Sequence, residues 1–298
     1  DLILPLGSLV LLYDKLDQKI NVTDTSYSKK DRQNDAYMIG YNLNQANHNF
    51  QANVRKDFNS VYRDATTGNI GYSYAMNSNW SIASSFGTAF RSPTFNYLYA
   101  GSYANPDLQP EKSKNVEAQL KYQSDAEFFS FVTFKNKITD FIISDSTTNF
   151  RPYNINTAEI YGATVSSSHF MNHFQVKSSF TVQSPMNESA DKYLPRRSNF
   201  FGTVGLNYFI QNWNLGFEAT GSGNRYNDAA NLFNIPGYIK TNLFADYQIN
   251  KNLTMNARVD NVLGKNYTYA YEGNPTTDGF RYQTPSQSFF ISLRYEPQ

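Results

Sequence analysis

Alternation with a period of two constrains this chain more than any other feature. In "WNLGFEATG" the positions Trp213, Leu215, Phe217, Ala219 and Gly221 are apolar or small, while Asn214, Gly216, Glu218 and Thr220 interleave them. Side chains alternate across a strand, so such a segment has one oily and one wet face. The same holds for Leu253, Met255, Ala257 and Val259 against Thr254, Asn256, Arg258 and Asp260, and for Val116, Ala118, Leu120 and Tyr122 against Glu117, Gln119 and Lys121. Phe200, Gly202, Val204, Leu206 and Tyr208 make another oily face, as do Ile239, Leu243, Ala245, Tyr247 and Ile249. Helical periodicity is nearly absent.

The pattern predicts an all-β chain of about 14 strands, with cores near 8–16, 36–45, 48–57, 68–76, 79–90, 113–123, 127–143, 150–170, 173–184, 199–210, 213–224, 238–249, 252–262 and 286–296. Most are about 9–12 residues long, the length that crosses a bilayer when tilted. The connections keep a beat. Tight turns at "LNQAN", "MNSN", "QSDA", "FMNH", "IQN" and "INKN" alternate with longer loops at 22–35, 58–67, 91–112, 185–198, 225–237 and 263–285. The link between the seventh and eighth strands is the shortest of the longer set. A transmembrane β-barrel has one rim of short turns and one of working loops, which explains the beat; a soluble sandwich has no reason to keep it. Tyr122, Tyr208, Trp213, Tyr247 and Phe170 fall where an interfacial aromatic girdle belongs. Hydrocarbon offers no water to an unpaired backbone group, so the sheet is expected to close, alone or with strands missing here.

Composition agrees. Aromatics reach 16% and charged residues only 17% of 298 residues, against about 25% charged in ordinary soluble domains. Mean hydropathy is still −0.57, the polarity coming from Asn, Ser, Thr, Gln and Tyr. A net charge of +1 with no basic block excludes nucleic acid as a partner. The absence of cysteine removes disulfides, thiolate metal sites and a thiol nucleophile. "LILPLGSLVLLY", Leu2 to Tyr13, is too short for a spanning helix and has no basic flank for a signal peptide. The chain opens at Asp1, and we expect a processed product or a piece of something longer.

"FGTAFRSPTFNYLY" followed by "NPDLQPEKSKNVE" resembles the barrel of TonB-dependent outer-membrane receptors, as do "ITDFIIS" with "YNINTAEIYGATV" and "ARVDNVLGKNYTY". The likeness runs from about residue 68 to the end. "YLPRRS" at 193–198 and the lengths of the later loops are most similar to cobalamin transporters within that family. The resemblance implies a 22-stranded barrel around an N-terminal plug, of which residues 1–298 are the C-terminal barrel portion without plug or TonB-contacting segment. It implies a nutrient receptor and TonB-dependent transporter for cobalamin or a similar metal chelate such as a siderophore. Implied partners are a small-molecule ligand, outer-membrane lipid and lipopolysaccharide, and the TonB complex; no cofactor and no catalysis are implied. The family closes on an aromatic residue, whereas this chain runs Tyr295, Glu296, Pro297, Gln298. Two other readings stand beside this one: a passive porin-like channel of 14 strands, and a secreted β-rich glycan-binding module.

Candidate ligand-binding residues sit in the outward loops. Tyr97, Tyr99, Tyr103, Tyr226 and Tyr271, with Tyr267 and Tyr269 nearby, offer rigid apolar faces carrying one hydroxyl each. Arg196, beside Arg197, and Arg91 at the mouth offer forked donors; Arg196 matches an arginine that looks toward substrate in the resembling transporters. Glu117, Lys121, Glu218, Asp246, Arg258 and Arg294 are expected to face the lumen, where the family's plug would contact them. Asp107 and Glu111 lack the oxygen-ligand spacing of a calcium loop, and no metal site is expected. His48, His169 and His173 lie beside the tight turns, away from the working rim, which disfavours an outer-membrane hydrolase.

Overall fold

The computed structural model describes residues 2–21, 27–29, 31–61, 64–144, 148–272 and 279–297. Parts of the predicted loops 22–35, 58–67 and 263–285, the middle of the link after residue 143, and both terminal residues, Asp1 and Gln298, lie outside the described residues. Fourteen long strands run in chain order: β1 (Ser8–Lys19), β2 (Asp31–Gln45), β3 (His48–Asn59), β4 (Ala65–Ala75), β5 (Trp80–Arg91), β6 (Glu111–Gln123), β7 (Glu127–Ile143), β8 (Tyr153–Met171), β9 (Phe174–Asn187), β10 (Phe200–Ile210), β11 (Trp213–Ser222), β12 (Tyr238–Asn250), β13 (Leu253–Asp260) and β14 (Ser288–Tyr295). Each pairs antiparallel with its sequence neighbours. With the two-residue strands Leu2–Ile3 and Lys192–Tyr193 they form one 16-stranded sheet. Among the described residues β1 and β14 do not pair with each other, so the sheet keeps two open edges. No described helix is long and apolar enough to cross a membrane.

Register fixes the faces. Leu206 lies opposite Phe217, which lies opposite Leu243, while Gly205, Glu218 and Asn242 share the other face. Leu215, Phe217, Val116 and Ile70 remain exposed on the apolar face. In water, uncovered apolar surface costs roughly 25 cal/mol per Å²; lipid removes that cost. Large buried apolar side chains lie instead at the end of the sheet carrying the long loops: Leu98, Leu108 and Ile142 in one cluster, and Ile138, Phe141, Ile143, Ile155 and Leu194 in another.

The tight turns are 46–47, 76–79, 124–126, 172–173, 211–212 and 251–252; the opposite rim carries 20–30, 60–64, 92–110, 144–152, 188–199, 223–237 and 261–287. Ala46, Asn172 and Gln211 take left-handed backbone, as two-residue hairpin turns of primed type require. The Asn79, Asn212 and Asn252 amides donate to the carbonyls of Gln123, Gln248 and Glu296, tying each turn to the next strand. Trp80 packs on Tyr122 at 5.0 Å and Trp213 on Tyr247 at 4.5 Å, a girdle on the apolar face beside these turns.

Three expectations need correction. Phe170 pairs with Gln175, which pairs with Asn207, so it stands on the polar face against Phe209 at 5.8 Å and outside the girdle. The shortest long-rim link is 60–64, whereas 144–152 is longer than expected. β2 begins at Asp31 rather than near 36, and β4 at Ala65 rather than 68, because backbone pairing continues past the point where apolar alternation stops.

Candidate ligand-binding rim

The first long loop with structure of its own, 92–110, explains the aromatic run that interrupts the strands. Thr94 caps a short helix, Phe95–Tyr99, its hydroxyl accepting the Tyr97 N–H at 3.2 Å. Leu98 is driven inward onto Leu108 and Ile142, and Tyr97 and Tyr99 pack against that cluster. Burial pushes the Tyr99 phenol up, partly offset by the Arg32 charge. Tyr103 follows in a single exposed turn of 3-10 helix. Asn154 at the base of β8 exchanges two hydrogen bonds of 2.9 Å with the Gln109 backbone, anchoring the loop to its neighbour.

Three further loops of the rim, 188–199, 223–237 and 261–287, are joined by asparagines acting as pieces of backbone. Asn231 accepts the Tyr193 N–H at 2.7 Å and donates to the Tyr193 carbonyl at 2.9 Å, linking 223–237 to 188–199. Asn227 does the same for Tyr271, linking 223–237 to 261–287. Asp228, fully buried, accepts the Leu232 and Phe233 N–H groups at 3.1 and 2.8 Å. The buried Arg225 donates to the Thr268 carbonyl at 2.7 Å, and burial pushes its guanidinium pKa down.

On this frame Arg196 stands exposed in the left-handed region, φ 60°. Its backbone N–H donates to the Tyr226 carbonyl at 2.6 Å, and its Nη2 reaches the Tyr271 carbonyl at 3.3 Å. Tyr226 stacks on Tyr193 at 6.1 Å. Arg196, Tyr226 and Tyr271 are thus brought together, while Tyr97, Tyr99 and Tyr103 belong to the separate 92–110 loop. Tyr267, Tyr269 and Tyr238 form a tight aromatic group, Tyr238 lying 4.2 Å from Tyr267.

The other two arginines are engaged. Arg91 pairs with Glu111 at 2.6 Å, and that buried carboxylate also accepts the Ile142 N–H at 2.9 Å. Arg197 lies over the Phe141 ring at 5.0 Å and donates to the Pro195 carbonyl. Burial pushes its pKa down, against a smaller upward pull from Glu111. Sequence reasoning missed Asn154, Asn227, Asn231 and Asp228. For Asn227, Asp228 and Asn231 the available signal was the run "YNDAANLFN", rich in residues whose short polar side chains mimic backbone.

Below the rim, register puts Glu117, Lys121, Glu218, Asp246, Arg258 and Arg294 on the polar face. Asp246 accepts the Asn214 and Asn256 amides at 2.9 and 2.8 Å. Glu218 accepts Asn242 at 3.1 Å, and Arg258 pairs with Asp260 at 3.0 Å while covering the Phe290 ring. Several of these side chains line a groove of about 560 Å³. His48 meets the Tyr72 hydroxyl at 2.7 Å and His169 faces Glu127 at 3.2 Å, both near the tight turns; among the described residues no group of histidines and acids is placed to hold a metal.

Known proteins share this strand architecture. Two curated relatives are vitamin B12 transporters called BtuB. The one from Photobacterium profundum is 28% identical over 254 residues, 83% of this chain and 42% of the relative. The one from Vibrio vulnificus is 26% identical over 274 residues, 91% of this chain and 44% of the relative. Among solved structures, the copper transporter OprC superimposes with a TM-score of 0.79 at 18% identity, over 96% of this chain and 53% of that one. The ferric enterobactin receptor from Pseudomonas aeruginosa gives 0.79 at 17% identity, over 99% and 52%; at such identities the likeness is one of fold. The chain spans about half the length of the relatives it matches. Residues 9–262 match the family model described as TonB dependent receptor-like, beta-barrel, and the chain belongs to that family of outer-membrane β-barrels.

Proposed function

We propose that this chain is the C-terminal part of the barrel of an active nutrient receptor, residues 1–298 carrying no plug, and that it takes up cobalamin or a related metal chelate. The relatives by sequence are vitamin B12 transporters and the neighbours by fold include a ferric enterobactin receptor. The observation that carries the reading is the Arg196 group: an exposed guanidinium beside Tyr226 and Tyr271, on loops held by Asn227 and Asn231. Preorganised loops lose little entropy when they grip a ligand, and a forked cation with aromatic walls suits a large, polar, amide-rich or anionic chelate. Tyr97, Tyr99, Tyr103 and Arg91 are proposed as the opposite wall, and Glu117, Lys121, Glu218, Asp246 and Arg258 as the lumenal surface against which a plug would sit. The role is binding and passage rather than catalysis, with work supplied through TonB to the full-length protein.

The open edges of β1 and β14 argue against a self-contained porin of 14 strands, since each unpaired backbone group facing hydrocarbon costs several kcal/mol. They are proposed to pair with further strands of the same barrel. Titrating the full-length protein with cyanocobalamin and with a ferric catecholate tests the assignment. Saturable binding of either supports a receptor; binding of neither, with free diffusion of both through reconstituted vesicles, supports a passive channel.

A further inference from the structure

The 92–110 loop, which joins β5 to β6, is held from two directions. On one side Asn154 and the cluster of Leu98, Leu108 and Ile142 fix it to β7 and β8. The other contacts come from residues 27–32, just before and at the start of β2. Tyr27 donates its hydroxyl to the Asn96 side-chain oxygen at 2.6 Å and forms an isolated antiparallel bridge with Ala100, while the Ser28 N–H reaches the Tyr99 carbonyl at 3.3 Å. Arg32 donates Nη1 to the Pro93 carbonyl at 2.8 Å and Nε to Gln18 on β1 at 2.5 Å, and its guanidinium lies 4.7 Å from the Phe95 ring centre. A planar fork bonds in its plane and stacks on its face at once, which a compact ammonium does not. Pro93 is fully buried at this junction.

These contacts cross the sheet. β3 and β4 stand between β2 and β5, so at about 4.8 Å per strand the loop meets Arg32 about 14 Å along the rim from its own root. Alternation along β2 puts Arg32 on the face of Asn34 and Met38, opposite to the exposed Tyr37 and Ile39 of the apolar face. Arg32 therefore takes the loop from the lumenal side, over the mouth. The helix Phe95–Tyr99 that it covers has five residues, far below the length that is stable by itself in water. Its position is set by what it touches, and Tyr97 and Tyr99 move with it.

We infer that Arg32, with Tyr27, is a positioning residue of the receptor: it latches residues 93–100 over the mouth and so holds Tyr97 and Tyr99 where a ligand meets them, without touching the ligand itself. The inference rests on the reading of Tyr97 and Tyr99 as one wall of the binding site. With the latch open that wall is missing, so only the latched fraction of molecules binds and the apparent affinity falls by that fraction. Such a loss appears in the association rate, whereas loss of a direct contact appears in dissociation.

The test uses the full-length protein with cyanocobalamin and a ferric catecholate as probes. In ligand-free Arg32→Gln, exchange at the hydrogen-bonded amides of Tyr97, Leu98 and Ala100 is expected to speed by about 10-fold or more, with β6 unchanged. For a probe that binds, association should slow by about 10-fold while dissociation stays as in the wild type. Arg32→Lys, which keeps a donor for the Pro93 carbonyl, should recover part of that rate. Tyr27→Phe, which removes one hydroxyl, should repeat both effects more weakly, and it decides the matter if Arg32→Gln does not fold. Equal exchange at Tyr97, Leu98 and Ala100 in variant and wild type overturns the proposal. Faster dissociation with association unchanged also overturns it, by making Arg32 a ligand contact. Binding of neither probe by the wild type, with exchange still faster in Arg32→Gln, sinks the receptor reading and leaves the latch standing.

Discussion

Asn227 and Tyr271 exchange two hydrogen bonds: the side-chain amide donates to the Tyr271 carbonyl at 3.1 Å, and its oxygen accepts the Tyr271 N–H at 2.9 Å. One side chain thus replaces the strand partner that the loop residue lacks, and it does so between loops 44 positions apart. Asn227 itself is almost wholly buried.

Asn227→Ala should therefore leave both Tyr271 backbone groups unpaired, at a cost of about 1–3 kcal/mol. Hydrogen exchange should speed at Tyr271 and through 268–272, with β11 and β12 unaffected. Exchange unchanged at Tyr271 would show that the pairing does not order the loop.

Arg196→Ala, in the full-length receptor, should weaken ligand binding by about 1–3 kcal/mol if charged hydrogen bonds to the ligand are lost. Arg91→Ala should act differently, because it frees the buried Glu111 carboxylate and so lowers stability as well as affinity. Calorimetric titration with thermal melts of both variants separates the two effects.

Phe217→Arg puts a charge on the apolar face near the middle of β11 and should destabilise the barrel by about 2–4 kcal/mol in lipid vesicles. Glu218→Arg, one residue on and on the polar face, should change stability far less. Urea unfolding in vesicles decides it; equal costs would mean that lipid does not touch this face.

Gly216 lies under the Phe244 ring, which a Cβ would meet at about 1.9 Å. The ring fills the place of the missing side chain, as aromatics do over strand glycines. Gly216→Val should displace it at a cost of about 1–3 kcal/mol, and Phe244→Ala in the same background should recover part of the loss.

Tyr269 donates to or accepts from the Tyr267 hydroxyl, and that bond, then burial, then the neighbouring phenols push its pKa up to about 12. The fold thus holds this proton more tightly than the unfolded chain, whose tyrosines ionise near pH 10. Its contribution is complete below pH 10 and is lost as pH rises from 10 to 12. Ultraviolet titration of wild type against Tyr267→Phe should show part of the late phenol ionisation shifted to lower pH in the variant; superimposable curves would show that the Tyr267 hydroxyl does not hold the Tyr269 proton.

The strands were legible in the residues themselves. Alternation at Trp213 to Gly221 and at Leu253 to Val259 is a local property, because strand side chains change face at every step, and the beat of turns and loops follows from the same count. Phe170 shows where that ends: its face depends on pairing with Gln175, and local apolarity pointed the wrong way. The rim was less legible still. Tyrosines and arginines announced themselves by type, yet which of them meet is decided by Asn227, Asn231 and Glu111, whose partners lie tens of residues away. Period and turn chemistry act over a few residues and are written in the chain; long-range pairing decides which side chains share a surface, and that was settled by the tertiary structure.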